Sequence, residues 1–252
     1  MTSTSPAVSI ERKPELLGQT VVLIGGSAGI GLETARRARA EGAEVVLTGR
    51  RAERLEDAAR AVGARSTAAF DATDSGALER FFDDLPAPID HVLVTAGGPT
   101  YGPLLEMTAE EVRHALSDHI VQGLEVARYA SPKMRPGGTL ILMGGTGGRK
   151  ITAAGGIVSA ATAATPPFAA ALALELAPVR VNVIAAGFVD TPLSASILGD
   201  QLDARRSELR RTLPIGRVVE PQDVAALAVH IMSNTALTGA TFDIDGGQQY
   251  VS

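Results

Sequence analysis

Residues 25–31 read Gly-Gly-Ser-Ala-Gly-Ile-Gly, and they decide the fold of this chain. They follow the apolar run at residues 21–24 and precede a stretch of helical composition at residues 32–41. A dinucleotide pyrophosphate needs this arrangement, because the backbone must approach the anion closely and a helix N-terminus must point at it. The spacing is G-x-x-x-G-x-G instead of the G-x-G-x-x-G of many dinucleotide folds. The position of the turn, between strand and helix, predicts a dinucleotide-binding site.

Apolar runs and helical stretches alternate along the rest of the chain. Predicted strands lie at residues 21–24, 45–47, 66–70, 92–94, 140–143, 181–185 and 240–244, and predicted helices at 30–41, 51–62, 76–85, 109–130 and 157–176. Strands that are apolar throughout and alternate with helices are typical of a parallel sheet covered on both faces. The sequence therefore predicts one α/β domain over residues 15–252, a doubly wound (Rossmann) sheet.

Composition excludes several classes of function. The 252 residues are 45% hydrophobic, carry a formal net charge of −5 and include no cysteine. Thiolate nucleophiles and zinc–thiolate sites are thus excluded, and the acidic charge argues against a nucleic-acid or anionic-membrane partner. The four histidines lack metal-binding spacing, so we expect no metal. We find no apolar run of membrane-spanning length, and the polar residues 1–14, which lack the apolar core of a signal peptide, predict a disordered tail on a cytoplasmic protein.

The end of the second predicted strand indicates which dinucleotide is bound. An acidic residue there would hydrogen-bond the ribose 2′-hydroxyl and repel a 2′-phosphate. This chain has Gly49 followed by Arg50 and Arg51. A guanidinium can bind a phosphate through two hydrogen bonds. Two solvated arginines at the start of a helix would look the same, but their place at the strand end favours NADP(H).

Further motifs follow in a fixed order. They are Phe70-Asp71-Ala72-Thr73-Asp74, Val94-Thr95-Ala96-Gly97, the segment from Val181 to Thr191, Gly216-Arg217, Glu220-Pro221-Gln222-Asp223-Val224-Ala225 and Asp245-Gly246-Gly247. With the glycine turn, they resemble the short-chain dehydrogenase/reductase family from about Gly18 to the C-terminus. The resemblance implies a small-molecule substrate, and a homo-oligomer, dimer or tetramer, built on the helix at residues 157–176.

The same resemblance implies a set of cofactor-binding residues. The turn supplies Gly25, Ser27, Gly29, Ile30 and Gly31 for the pyrophosphate, Asp71 and Ala72 contact the adenine, Ala96 and Gly97 let the chain pass the cofactor, and Gly187, Val189 and Thr191 hold the nicotinamide end. Together with Arg50 and Arg51, these residues form the expected NADP(H) site.

The catalytic positions of the family are vacant. The family's reactive tyrosine corresponds to Val158, its lysine to Thr162 and its serine to Gly145, while its asparagine falls near Ile120. The chain contains one Tyr-x-x-x-Lys, from Tyr129 to Lys133, but it ends well before Val158, so no local shift of register restores the pair. In that pair the ammonium lowers the pKa of the phenol so that it can exchange protons near neutrality. Val158 cannot move a proton.

Replacement proton donors are few. Ser159 is rotated by about 100° from Val158 around a helix, so we expect it to point away from the nicotinamide. Thr146, on the glycine-rich loop, could orient a carbonyl, and His119 belongs to the residue type that exchanges protons near neutrality. Tyr101 lies in a loop expected over the pocket. For His119 a hydrogen-bonded helix residue, and for Tyr101 a pocket wall, are equally good interpretations.

Pro166-Pro167 falls near the middle of the helix predicted at residues 157–176. Proline removes a backbone donor and clashes with the preceding turn, at about 3 kcal/mol or more. We therefore expect this helix to kink or break, which makes the assembly implied by the resemblance less certain.

Three functions remain open from the sequence. The first is an NADP(H)-dependent oxidoreductase with a non-standard site that reduces an imine, enone or activated carbonyl. The second is a silent NADP(H)-binding sensor or partner subunit, and the third is a lyase or isomerase that uses the inherited pocket. The arginines at the strand end favour the first, because they select the reducing cofactor.

Overall fold

The computed structural model describes residues 13–149 and 151–251, which form one seven-stranded parallel sheet. Its strands are β1 (Thr20–Ile24), β2 (Glu44–Gly49), β3 (Ser66–Ala69), β4 (Ile89–Val94), β5 (Met134–Gly145), β6 (Arg180–Ala186) and β7 (Thr241–Ile244). The spatial order is β3-β2-β1-β4-β5-β6-β7. All seven predicted strands are present, and the doubly wound fold class is confirmed.

The helices cover both faces of the sheet. They are α1 (Gly29–Ala40), α2 (Ala52–Val62), α3 (Ser75–Asp84), α4 (Ala109–Leu116), α5 (Gln122–Ala130), α6 (Gly156–Glu175), α7 (Pro192–Leu198), α8 (Leu202–Thr212) and α9 (Pro221–Ser233). Two apolar clusters fill the space on either side of the strands. The strand order reverses between β1 and β4, since β2 and β3 lie on one side and the later strands on the other. Ligands of such folds bind in the crevice at that point.

Three helices lie where the sequence analysis predicted none. Helix α8 buries only Leu209 of its eleven residues, so it has no apolar stripe that a pattern search could detect. Helices α7 and α9 each start on a proline, Pro192 and Pro221, after a residue whose side chain caps the helix. Proline in the first turn is a recognised start signal for a helix, so the sequence did contain evidence for these two.

The helix predicted at residues 109–130 is interrupted. A π-turn at Ser117–Val121 separates α4 from α5 and packs against α6. It contains both His119 and Ile120, the region of the vacant asparagine position. Such π-turns within helices are frequent at functional sites.

The expectation that Pro166-Pro167 breaks its helix was wrong in this respect: α6 runs unbroken from Gly156 to Glu175. The turns on both sides of the prolines are fixed by burial of Ala161 and Thr162 before them and of Ala169 and Leu172 after them. Tertiary packing of this kind outweighs the local cost of a missing hydrogen bond.

One further expectation needs revision, and another lies mostly outside the described residues. Among the described residues, α6 is long and apolar enough to cross a membrane, contrary to the expectation of no such run, although here it packs on β5 and β6 as a core helix does. The tail predicted at residues 1–14 lies outside the described residues except at its end. The Cβ of Pro14 lies 3.3 Å from a Cβ built on Gly42, and the next apolar residue, Leu16, is fully buried.

Candidate functional site

The glycine turn is held between β1, β2 and β4 by two threonine hydroxyls. The Gly25 N–H donates to Thr48 Oγ1 at 3.2 Å, and Thr95 Oγ1 donates to the Gly25 carbonyl at 3.0 Å. A Cβ built on Gly31 would lie 2.3 Å from that same carbonyl, and Gly25 has a φ of +102°. Only glycine fits at these two positions, so the turn is shaped by sterics as well as by hydrogen bonds. Sequence reasoning assigned no role to Thr48 or Thr95.

The residues of the turn are placed to receive an anion. Helix α1 begins after Ala28, which is extended and provides no side-chain cap. Its first-turn N–H groups therefore remain available to a phosphate. Thr191, which caps α7, stands across the opening, with its Cβ 3.4 Å from a Cβ built on Gly29. These contacts fit the pyrophosphate of a dinucleotide, and they bring together the predicted residues from Gly25 to Gly31 with Thr191.

Arg50 and Arg51 lie at the carboxyl end of β2, and both are exposed. Ser27 approaches the same strand end, with its Oγ 3.1 Å from a Cβ built on Gly49. Arg50 makes no hydrogen bond or ion pair to another described side chain, although it is close enough to Asp71 to help lower the pKa of that carboxyl. A cation without a fixed protein partner beside a dinucleotide turn fits a 2′-phosphate.

Asp71 and Ala72, the residues expected to contact the adenine, follow β3. The Asp71 carboxylate accepts hydrogen bonds from the Thr73 N–H at 3.0 Å and from its hydroxyl at 2.8 Å. The backbone bond to Thr73 is the main reason that the pKa of Asp71 is lowered. Ala72 is buried, so this part of the site is shaped by packing.

At the nicotinamide end, the predicted residues lie on two chain segments. Ala96 and Gly97 follow β4, where the Ala96 N–H donates to the Ile24 carbonyl at 2.9 Å. Gly187 and Val189 follow β6, and Val189 is buried and bridges to Val219. The structure thus places all the predicted cofactor residues along the carboxyl edge of the sheet.

Two anchors of the segment after β6 were missed by sequence reasoning. Arg206 on α8 binds both carboxylate oxygens of Asp190 at 2.8 Å, one residue before Thr191. Near the C-terminus, Gln248 Oε1 accepts the Phe188 N–H at 2.8 Å. No local pattern in the sequence pairs residues so far apart.

The positions that correspond to serine, tyrosine and lysine in the resembling family do lie together. A Cβ built on Gly145 would be 3.1 Å from Cγ2 of Thr162. Thr162 turns its hydroxyl back to its own helix, where Oγ1 donates to the Val158 carbonyl at 2.7 Å. Its methyl group therefore faces Gly145, and both Val158 and Thr162 are buried. The three positions form an apolar, uncharged wall.

The four alternative proton donors differ in their hydrogen bonds and in their burial. Ser159 is directed to the glycine-rich loop, where its Oγ donates to the Gly147 carbonyl at 3.1 Å. Thr146 is buried. His119 has Nδ1 3.3 Å from the Ala115 carbonyl within the π-turn. Partial burial raises the pKa of Tyr101 despite the opposing effect of Arg205, so Tyr101 is a weaker acid than free tyrosine.

Apolar side chains surround the mouth of the cleft. The loop after β4 lies over the start of α6, where Leu104 Cδ1 is 2.7 Å from a Cβ built on Gly156, and it faces Leu193 of α7 across Gly98. Tyr101, Leu104 and Leu193 are each about half exposed. Exposed apolar groups clustered at a cleft are typical of a binding site for an apolar ligand.

Comparisons with known proteins agree with this geometry. A family profile described as enoyl-(acyl carrier protein) reductase matches residues 25–249. The NADP-dependent (R)-specific alcohol dehydrogenase of Lentilactobacillus kefiri is 30% identical over 248 residues, covering 92% of this chain and 97% of that protein. The structure of MalC reductase/Diels-Alderase from Malbranchea aurantiaca has a TM-score of 0.87 at 25% identity, covering 94% of this chain and 99% of that one. L-sorbose reductase from Gluconobacter frateurii, solved with NADPH and L-sorbose, has a TM-score of 0.86 at 25% identity and the same two coverages, 94% and 99%.

Proposed function

Because the chain belongs to the short-chain dehydrogenase/reductase family, we propose that it is an oxidoreductase whose reaction centre works without a proton donor from the protein. The cofactor is NADP(H): a relative is NADP-dependent and solved neighbours hold NADPH. In this chain, Arg50 and Arg51 would bind the 2′-phosphate, and the turn from Gly25 to Gly31 the pyrophosphate. When bound, NADPH supplies a hydride for reduction.

The observation that carries the proposal is the direction of the Thr162 hydroxyl. It is committed to the Val158 carbonyl at 2.7 Å, and Val158 itself has no exchangeable proton. The wall formed with Gly145 therefore offers a reacting oxygen neither an acid nor a cation. A ketone that accepts a hydride becomes an alkoxide, which needs both in order to form at a useful rate.

An electrophile that is already charged removes this requirement. A hydride added to the carbon of an iminium gives a neutral amine, so charge is lost and no proton is transferred. An uncharged wall suits such a substrate, since a lysine at residue 162 would repel the cation. We therefore place imines, in their iminium form, first among the substrate classes. An enone or activated carbonyl would have to take its proton from water held by His119 or Thr146.

The other two functions expected from the sequence make different predictions. A silent sensor or partner subunit would bind NADPH without oxidising it, and a lyase or isomerase would turn over a substrate while NADPH stays unchanged. We favour the oxidoreductase because Arg50 is free to select the reducing cofactor.

We propose further that the chain is a homo-oligomer. Leu116, Val121 and Leu124, on α4, the π-turn and α5, are between 37% and 46% exposed, and Leu174 on α6 is 83% exposed. Apolar groups on neighbouring helices would be covered by a second copy. The course of α6 supports this proposal, because the helix is not broken at Pro166-Pro167. Cytoplasmic localisation stays a prediction.

NADPH oxidation by the purified protein tests the proposal. We expect oxidation with preformed cyclic iminium ions and none with unactivated ketones, and we expect no reduction of NADP⁺ by secondary alcohols. NADPH binding without oxidation across iminium, enone and activated-carbonyl substrates would favour the silent role. Consumption of a substrate without NADPH oxidation would favour the lyase or isomerase.

A further inference from the structure

A cavity of about 190 Å³ adjoins the vacant catalytic positions. It lies between α6 and the floor formed by β6 and β7, under the loop that follows β5. Gly145 and Thr162 belong to its lining, and so do Ala163 and Pro166 of α6 and Thr241 of β7. Two of the three residues at the vacant catalytic positions thus also line this cavity.

Small residues create the cavity. A Cβ built on Gly145 already lies 3.1 Å from the Thr162 methyl group, and one built on Gly148 lies 2.9 Å from Thr162 Oγ1. Side chains as large as serine and lysine at residues 145 and 162 would extend into this space. The cavity therefore depends on the small residues at the positions assigned to the serine and the lysine.

Among the described residues, the lining presents no charged side chain without a partner. The hydroxyl of Thr162 is bonded to the Val158 carbonyl. Arg149, at the roof, is paired with the Asp243 carboxylate and donates to Gln249 Oε1 at 2.6 Å. With Arg149 paired and the Thr162 hydroxyl bonded to its own helix, the cavity suits an apolar ligand, because a charged one would lose its hydration without compensation.

We propose that this cavity is a subsite for an apolar, ring-sized group of the substrate, reached past Gly145 and Thr162. A cavity of about 150 Å³ lined by apolar side chains takes up benzene, so the space here is sufficient for one or two fused rings. The apolar mouth of the cleft, with Leu104 and Leu193, fits the same class of substrate. This inference rests on the proposed function, since it assigns the cavity to the substrate of that site.

Indole is a suitable probe for the test. The chain contains no tryptophan, so indole fluorescence can be followed without background from the protein's own indole groups. We expect saturable binding of indole to the full-length protein. Ala163→Leu fills the cavity from α6 and should weaken binding about tenfold or more. Ala164→Leu, one step around the helix and outside the lining, is the matched control and should change binding less than about twofold.

Thr241→Leu fills the same space from β7 and is a second variant in case Ala163→Leu fails to fold, as judged by its melting temperature and NADPH affinity. Indole binding that the filling variants weaken and the control retains supports the subsite, whether or not NADPH is oxidised. Absence of indole binding, or equal binding by all variants, overturns it, even if NADPH oxidation with an iminium is observed. Failure of the subsite and failure of the proposed function are thus separate results.

Discussion

Replacing His91 tests how the free energy of unfolding depends on pH through a histidine buried in the sheet. His91 lies on β4, is 3% exposed, and has its Nε2 2.5 Å from Gln19 Oε1. Because that oxygen can only accept, Nε2 donates and Nδ1 is left without a partner among the described residues. Burial lowers the pKa of His91 to about 4; nearby Asp90 raises it less, and Arg180 adds to the lowering. The imidazole is therefore neutral in the folded protein.

The sign and size of the pH effect follow from this difference. The unfolded chain takes up a proton at His91 below the ordinary value of 6.5, whereas the folded chain does so only near 4. The stability that depends on neutral His91 is thus complete above pH 6.5 and is lost as the pH falls towards 4. Between about pH 7.5 and about pH 5 the loss amounts to about 2 kcal/mol, from about 1.4 kcal/mol per unit over most of this interval.

Denaturant unfolding at these two pH values measures the effect. His91→Gln keeps a donor for Gln19 and cannot titrate, so its free energy of unfolding should fall by about 2 kcal/mol less than that of the parent. His230→Gln, at an exposed histidine on α9, is the matched control and should behave like the parent. Equal pH dependence in the parent and His91→Gln would refute the assignment of a buried, neutral His91.

Three predictions concern the cofactor and the reaction centre. Arg50→Ala should weaken NADPH binding by about 1.5–3 kcal/mol and change NADH binding little, because it removes the contact to the 2′-phosphate. Arg60→Ala, at the far end of α2, is the control and should change neither affinity. Equal affinity of the parent protein for both cofactors, measured by calorimetry, would contradict this prediction. Gly31→Ala places a methyl group 2.3 Å from the Gly25 carbonyl oxygen. The clash should lower the free energy of unfolding by on the order of 1–3 kcal/mol, and with it the melting temperature and the NADPH affinity. An unchanged affinity would show that the turn is not the pyrophosphate site. The double variant Val158→Tyr, Thr162→Lys should reduce ketones to some extent, whereas neither single variant should, because the two residues act as a unit. A folded double variant that binds NADPH and stays inert would mean that the pocket has been rebuilt for other chemistry.

Much of the fold was predictable because its signals are local. Buried strands are encoded as apolar runs, and the turn at residues 25–31 requires glycine for steric reasons that hold in any sequence. Helix α8 could not be predicted, since its polar residues form no stripe. The break expected at Pro166-Pro167 did not occur, because packing on both sides of the prolines decides the course of α6, and a local cost does not reveal such packing.

The candidate site was predictable in outline and not in its contacts. The assignment of the family's catalytic positions to Gly145, Val158 and Thr162 comes from the resemblance to that family and stays a prediction. The direction of the Thr162 hydroxyl depends on the helix geometry, and the pairing of Arg206 with Asp190 depends on how α8 folds back. Thr48 and Thr95 hold the glycine turn from other strands, so their roles appear only when the sheet is assembled.

The most direct test of the account is transfer of deuterium from deuterated NADPH to a matched pair of substrates, a cyclic iminium ion and the ketone of the same ring size, followed by mass spectrometry of the products. The account predicts deuterium on the carbon of the amine product and no labelled alcohol, since Val158 and Thr162 provide no proton for an alkoxide. Labelled alcohol formed as fast as labelled amine would contradict it, because an unidentified acid would then be acting in the site.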